Sequence, residues 1–231
     1  MTESPPCPRL SLLGAWQLSA GGRPIAVGRN GKRLLAFLAV HGTCDRSFVA
    51  GALWPDSSDL RANGNLRATL HRLQPPGLLR APVGGALSMC ASVQVDTARV
   101  VAAAARVLDG PPAAPDRITL RELTVDELLT GWYDDWVLHE RERLRQLRLH
   151  ALEALSDRFL RAGDAAAAVE AALATVALEP LRESAHGAVI RAHLVEGNRA
   201  EALQQFGRLR HLLRGELGVE PSRKVAELFR R

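Results

Sequence analysis

Hydrophobic periodicity divides the chain into short apolar clusters punctuated by glycine, followed by long segments of helical period. Arg9–Gln17 and Arg23–Val27 gather apolar residues around Gly14 and the Gly21-Gly22 pair. This predicts short strands joined by a glycine turn, with a third short strand near Gly28. From Gly31, Leu34, Leu35, Leu38 and Ala39 share one helical side, and Gly42 closes that helix. A second short helix, RSFVAGALW, turns Val49, Ala52 and Leu53 inward and is stopped by Pro55. After the loop WPDSSD, with Ser58 or Asp59 as N-cap, comes Asp59–Gln74, DLRANGNLRATLHRLQ. Its Ala62, Leu66, Leu70 and Leu73 fall on one side, and Pro75-Pro76 ends it. GLLRAPVGGALSMCA then reads as two short strands meeting at Gly84-Gly85, where both central positions accept positive φ.

The other side of Asp59–Gln74 carries the candidate chemistry. At about 100° per residue, Arg61, Asn65, Ala68, His71 and Arg72 face away from the apolar stripe, with Asn63 and Arg67 on its flanks. No acid stands between Asp59 and Gln74. Arginine and asparagine pair bidentately with guanine and adenine edges in the major groove, and Gly64 and Ala68 are small enough for close approach. A solvated surface helix is the plain alternative. Strands, helix, helix, basic helix and hairpin form the order of a winged helix-turn-helix, with the hairpin as its wing. The leading strands narrow it to the version found in bacterial response-regulator output domains. Arg61, Asn65, His71 and Arg72 are then candidates for base edges, and Arg67 for base or phosphate. Lys32, Arg33 and Arg80 are candidates for phosphates, contacts that position a domain without reading sequence. Lys32 and Arg33 fit a solvated surface equally. In response-regulator winged helices the loop between the reading helices meets RNA polymerase. That makes Trp54, Asp56, Ser57 and Ser58 candidate polymerase contacts, with Trp54 also suited to the core.

From Val93 the texture changes. VQVDTARVVAAAARVLDG predicts an amphipathic helix from Asp96 to Gly110, and PPAAPDR a linker. Another helix is expected over 118–130, and a long one from Asp134 or Asp135 to Arg161. Gly163-Asp164 and Gly197-Asn198 lie 34 residues apart, as do Ala168 and Ala202. That period of paired helices is the tetratricopeptide signature, and such repeats stack into a binding or dimerising solenoid. Leu155, Phe159 and Pro180 fit the pattern, while Pro221 comes seven residues late. Trp132, Tyr133 and Trp136 read as one aromatic cluster, anchoring an interface between the repeat domain and its neighbour or stacking on a ligand.

Composition adds further constraints. With 231 residues and 47% hydrophobic content, the chain suffices for one large or two small domains, and 4% aromatics beside abundant Ala and Leu suggests a helical body. Only Lys32 and Lys224 among 30 basic residues are lysine. Residues 1–92 hold 10 basic and 4 acidic side chains, whereas 93–231 hold 20 and 21, so the surplus lies in the first segment. Cys7, Cys44 and Cys90 show no zinc spacing, which suits a reducing cytoplasm. No signal segment or long apolar run is present, so neither export nor a membrane span is expected. No catalytic constellation emerges. His186 and His193 lack metal spacing, His139-Glu140 has no following histidine at protease spacing, and Gly28–Lys32 is too short for a phosphate loop. The expectation is therefore no enzyme, no cofactor and no metal.

Both halves resemble one family. LLGAWQLSAGGRPIAVG, KRLLAFLAVHG, ALWPD, RANGNLRATLHRL and VQVDTARV match in the first half. GWYDDWVLHERERLR, RAGDAAAAVEAALATVALEPLRESAH and RAEALQQFGRLRHLLRGELGVEPS match in the second. The chain resembles the Streptomyces antibiotic regulatory proteins, a winged helix of response-regulator type followed by a bacterial transcriptional activator domain. The resemblance implies a mainly α fold with small β elements. Its winged helix-turn-helix would occupy 1–92 and its all-α tetratricopeptide-like domain 93–231. It implies binding to tandem direct repeats in double-stranded DNA as a homodimer. It also implies recruitment of RNA polymerase holoenzyme, often at secondary-metabolite genes. Departures from the family pattern are the helix-weakening Gly64, a wing nearly uncharged beyond Arg80, and no sensor module before the end at Arg231. The rival reading is a protein-interaction adaptor whose winged helix no longer binds DNA.

Overall fold

Glycine and proline set the N-terminal sheet. In a computed structural model that describes residues 7–74, 77–80, 84–110 and 114–230, the first strands are β1 (Pro8–Ser11), β2 (Gln17–Ala20) and β3 (Arg23–Pro24). They run antiparallel, with Gly14 at φ 79° between β1 and β2. The strand expected near Gly28 is absent. β3 stops at Pro24, and one further bond, from the Ile25 N–H to the Leu18 carbonyl at 2.8 Å, ends its pairing with β2. Helix α1 (Arg29–His41) begins two residues before Gly31 and ends, as the spacing predicts, at Gly42. It buries Leu34, Leu35, Phe37 and Leu38. After β4 (Cys44–Asp45), α2 (Arg46–Leu53) buries Val49, Ala50 and Leu53, so Ala50 takes the inward place expected of Ala52. Helix α3 (Asp59–Arg72) buries Ala62, Leu66 and Thr69. Pro75-Pro76, beyond it, lie outside the described residues.

The wing pairs differently from a free hairpin. β5 (Ala86–Leu87) pairs with β4, Cys44 opposite Leu87, while the hairpin is closed by a bridge between Leu79 and Met89. The Arg80 N–H donates to the Ser88 carbonyl at 3.0 Å and the Cys90 N–H to the Leu78 carbonyl at 2.9 Å. Residues 81–83 of this hairpin lie outside the described residues. β6 (Gln94–Val95) joins β1 in parallel, giving the order β3-β2-β1-β6. Asp96, first residue of α4 (Asp96–Leu108), accepts the Leu12 and Leu13 N–H groups at 2.9–3.0 Å and so satisfies the backbone just past β1.

The chain folds as two units, one of Met1–Arg99 and Asp126–Arg141, the other of Val100–Val125 and Glu142–Arg231. In the first unit the 126–141 segment joins the sheet side. Gly14 N–H donates to the Glu127 carbonyl at 2.7 Å, and Leu129 N–H to the Leu12 carbonyl at 2.7 Å. The Arg141 guanidinium donates to the carbonyls of Leu128, Leu129 and Trp132 at 2.9–3.1 Å, holding Leu129 at φ 48°. Trp136 is buried edge-on against Phe37, centroids 5.2 Å apart, whereas Tyr133 is 79% exposed. The three aromatics therefore do not form one cluster.

The second unit is helical. The helix expected over 118–130 is only α5 (Arg117–Leu123). Its end is fixed by Arg148, whose guanidinium donates to the carbonyls of Leu123 and Val125, partners no local pattern reveals. Helix α6 (Asp135–Arg161) has the expected bounds and crosses from the first unit at Arg141/Glu142. The repeat follows as α7 (Ala165–Leu178), α8 (Glu183–Val195), α9 (Arg199–Leu217) and α10 (Arg223–Ala226). Gly163 and Gly197 take φ 81° and 79° at equivalent turns. Ala168 and Ala202 are fully buried, and the Ser156 hydroxyl donates to the Ala168 carbonyl at 2.9 Å, a contact a larger residue would obstruct. Ile190, Leu209, Leu213 and Val225 close the core at the far end of the repeat.

Candidate nucleic-acid interface

Helix α3 presents the face that its periodicity predicts. Arg61, Asn65, Arg67, Ala68, His71 and Arg72 are exposed, and Asn63 and Gly64 are half-buried. Asp59 sits in the first turn, where a carboxylate favours the positive end of the helix dipole. Ser58 holds the N-cap position, but its side chain makes no capping hydrogen bond. Asn63 spends its amide N–H on the Asp59 carbonyl at 2.8 Å, and Thr69 its hydroxyl on the Asn65 carbonyl. The exposed Asn65, Arg67 and Arg72 side chains take no part in this local bonding.

Two clefts flank the helix. One of about 430 Å³ lies between α3 and the start of α1, lined by Arg29, Asn30, Asn65, Ala68 and Arg72. Gly31 permits that approach, since a Cβ there would stand 2.7 Å from Val27 Cγ1 and 3.3 Å from Leu73 Cδ1. The other, about 470 Å³, is lined by Arg46 at the start of α2 with Asp59, Leu60, Asn63 and Arg67.

The remaining candidates divide. Arg80 is exposed beside the hairpin. Lys32 places Nζ 4.9 Å from the Trp16 ring centroid, and the Arg33 Nε donates to Asp134 at 2.9 Å with its side chain 17% exposed. Both cations have partners within the protein. In the loop between α2 and α3, Trp54 and Ser57 are half-buried and Asp56 and Ser58 exposed. A turn from the Ser57 N–H to the Trp54 carbonyl, 3.1 Å, shapes the loop. Sequence reasoning missed Arg29, Arg46 and Leu60. Arg29 became visible only with the earlier start of α1. Leu60, 80% exposed, lies off the apolar stripe, a signal that was available.

Among the described residues no cluster of His, Cys, Asp or Glu could hold a metal, and no helix is long and apolar enough to cross a membrane. Residues 95–231 match the family described as bacterial transcriptional activator domain. The regulatory protein AfsR of Streptomyces coelicolor is 32% identical over 96% of this chain and 24% of its own length. The chain belongs to the Streptomyces antibiotic regulatory protein family. The AfsR of Streptomyces griseus is 35% identical over 52% of this chain and 13% of its own length. The chain thus spans a quarter or less of these curated relatives. Among solved structures, Mycobacterium tuberculosis EmbR in complex with a low-affinity phosphopeptide superposes with a TM-score of 0.72. It is 22% identical, over 98% of this chain and 65% of that one, a likeness of fold: winged helix followed by tetratricopeptide-like helices. The family is one of bacterial transcriptional activators. Its activator domain begins at Val95 by sequence match, yet Asp126–Arg141 of that domain packs into the unit that carries α3.

Proposed function

We propose that this regulator binds promoter DNA sequence-specifically through α3 and activates transcription by recruiting RNA polymerase holoenzyme, acting in the cytoplasm on secondary-metabolite genes. The observation that carries the reading is the exposed α3 face, where three arginines, Asn65 and His71 surround small residues with no acid among them. Arg61, Asn65, His71 and Arg72 read base edges, and Arg67 contacts base or phosphate. Arg29, Arg46 and Arg80 take phosphates. Lys32 and Arg33, named as phosphate contacts from sequence, keep that role only by exchanging their partners Trp16 and Asp134. Trp54, Asp56, Ser57 and Ser58 form the surface offered to polymerase. Two copies bind head to tail on tandem direct repeats. The winged helix (1–92) and activator domain (93–231) share this labour.

The test is selection of bound duplexes from a random library at two salt concentrations. A short motif repeated at about one or two helical turns supports tandem reading. Recovery of no motif, with little salt dependence, points instead to an adaptor that works through its helical repeat.

A further inference from the structure

Leu60 contributes nothing to the fold that its burial could explain. It is 80% exposed in the first turn of α3, whose inward side is Ala62, Leu66 and Thr69. At 100° per residue it projects on the outward half of the helix, next to Gly64 and Arg67 and about a third of a turn off the Leu66 direction. Arg61 and Arg67 beside it are exposed, and Arg46 lines the same cleft together with the exposed Asp59, so the patch sets three guanidiniums against one carboxylate around one apolar side chain. A surface of that charge complements a polyanion better than an apolar protein face. The first turn of a recognition helix is the part that reaches base edges. The apolar feature that a base pair shows in the major groove is the thymine 5-methyl.

We propose that Leu60 reads thymine: its side chain covers the 5-methyl group of one thymine at the end of the site met by the start of α3. Gly64, one turn on, leaves the depth for that approach. The assignment rests on α3 lying in the major groove.

The full chain is bound to the shortest duplex enriched by selection, and each thymine in turn is replaced by deoxyuridine, which removes only the methyl. One position should weaken by about fourfold, the worth of one buried methyl-sized group. Leu60→Ala should lose a similar factor on the thymine duplex and become indifferent to that replacement, with an unchanged circular-dichroism melt. Equal sensitivity of both proteins at every position, or none in either, overturns the proposal. So does a Leu60→Ala protein that binds DNA normally but activates transcription poorly, since Leu60 would then face a protein. If Arg72→Ala still separates specific from random DNA while the methyl coupling is missing, only the thymine assignment falls. If no duplex is bound, it falls together with the major-groove reading.

Discussion

If α3 enters a DNA groove as proposed, Gly64 stands where folding and binding make opposite demands. A Cβ there would meet nothing within 4 Å, and alanine is the better helix former by about 1 kcal/mol. Gly64→Ala should therefore raise the melting temperature by about 2–4 °C for a chain of this size. The same methyl would hold α3 off the floor of a groove, so affinity for the selected duplex should fall while stability rises. A variant that melts higher and binds as tightly would remove the close approach. Arg72 supplies the complementary measurement. Arg72→Ala should weaken the selected duplex by about 1–3 kcal/mol and random DNA by clearly less, measured by fluorescence anisotropy. Equal losses would make it a phosphate contact. Both residues were legible in the sequence because a 3.6-residue period fixes which side of a helix they occupy. Lys32 and Arg33 were legible only as cations. Their partners Trp16 and Asp134 come from another strand turn and from a segment 101 residues away, which no local pattern exposes.

At the scale of elements, ends were harder to read than faces. The stop of α5 at Leu123 depends on Arg148 in α6, while its start follows from a local cap. Asp116 accepts the Thr119 N–H at 2.7 Å and the Thr119 hydroxyl at 2.9 Å. The backbone hydrogen bond from Thr119, above all, holds its carboxyl below the usual aspartate range, against a smaller opposing push from burial. Asp116→Ala should cost about 1 kcal/mol in urea unfolding, and Asp116→Asn less. No measurable loss would mean that α5 starts without this cap. Helices α8 and α9 are tied by a buried histidine. The Pro180 carbonyl can only accept, so His186 Nε2–H donates to it at 2.9 Å, and Nδ1 accepts from the Gln205 amide at 2.9 Å. Burial pushes the His186 pKa below its ordinary 6.5. The unfolded chain then takes up a proton that the native state resists. The stability this contributes is complete above the ordinary value and is lost as pH falls below it toward the native value. Melting temperature should drop from pH 8 to 5, and His186→Gln should flatten that part of the curve. Parallel curves for the two proteins would remove the histidine as the cause.

Across the whole molecule, position along the chain is a poor guide to where charge gathers. The first 92 residues carry 10 basic and 4 acidic side chains, but the unit they fold into also receives Asp126–Arg141, with five acids and one arginine. Grouped by unit, the balance is 12 basic to 10 acidic in the first and 18 to 15 in the second, net +2 and +3. Net charge therefore does not single out the unit proposed to bind DNA; that proposal rests on the local array on α3 and its clefts. The sequence could not show this, because the 126–141 segment returns through backbone pairing of Leu12 and Gly14 with Glu127, Leu129 and Thr130 rather than through any periodicity. The salt dependence of binding separates the two accounts. If Arg29, Arg46, Arg67 and Arg80 supply about four phosphate contacts, log K should fall against log salt with a slope of about −3.6, roughly 150-fold between about 50 and 200 mM. Arg46→Ala should reduce the slope by about 0.9 and weaken selected and random duplexes alike, because a phosphate contact carries no sequence. Arg72→Ala, if it reads a base, should leave the slope near its original value while lowering specific affinity. A slope unchanged by Arg46→Ala would take the start of α2 off the DNA backbone. A slope near zero for the whole protein would mean that the arginines of α3 are solvated surface, and the helical repeat would then be the part that finds its partner.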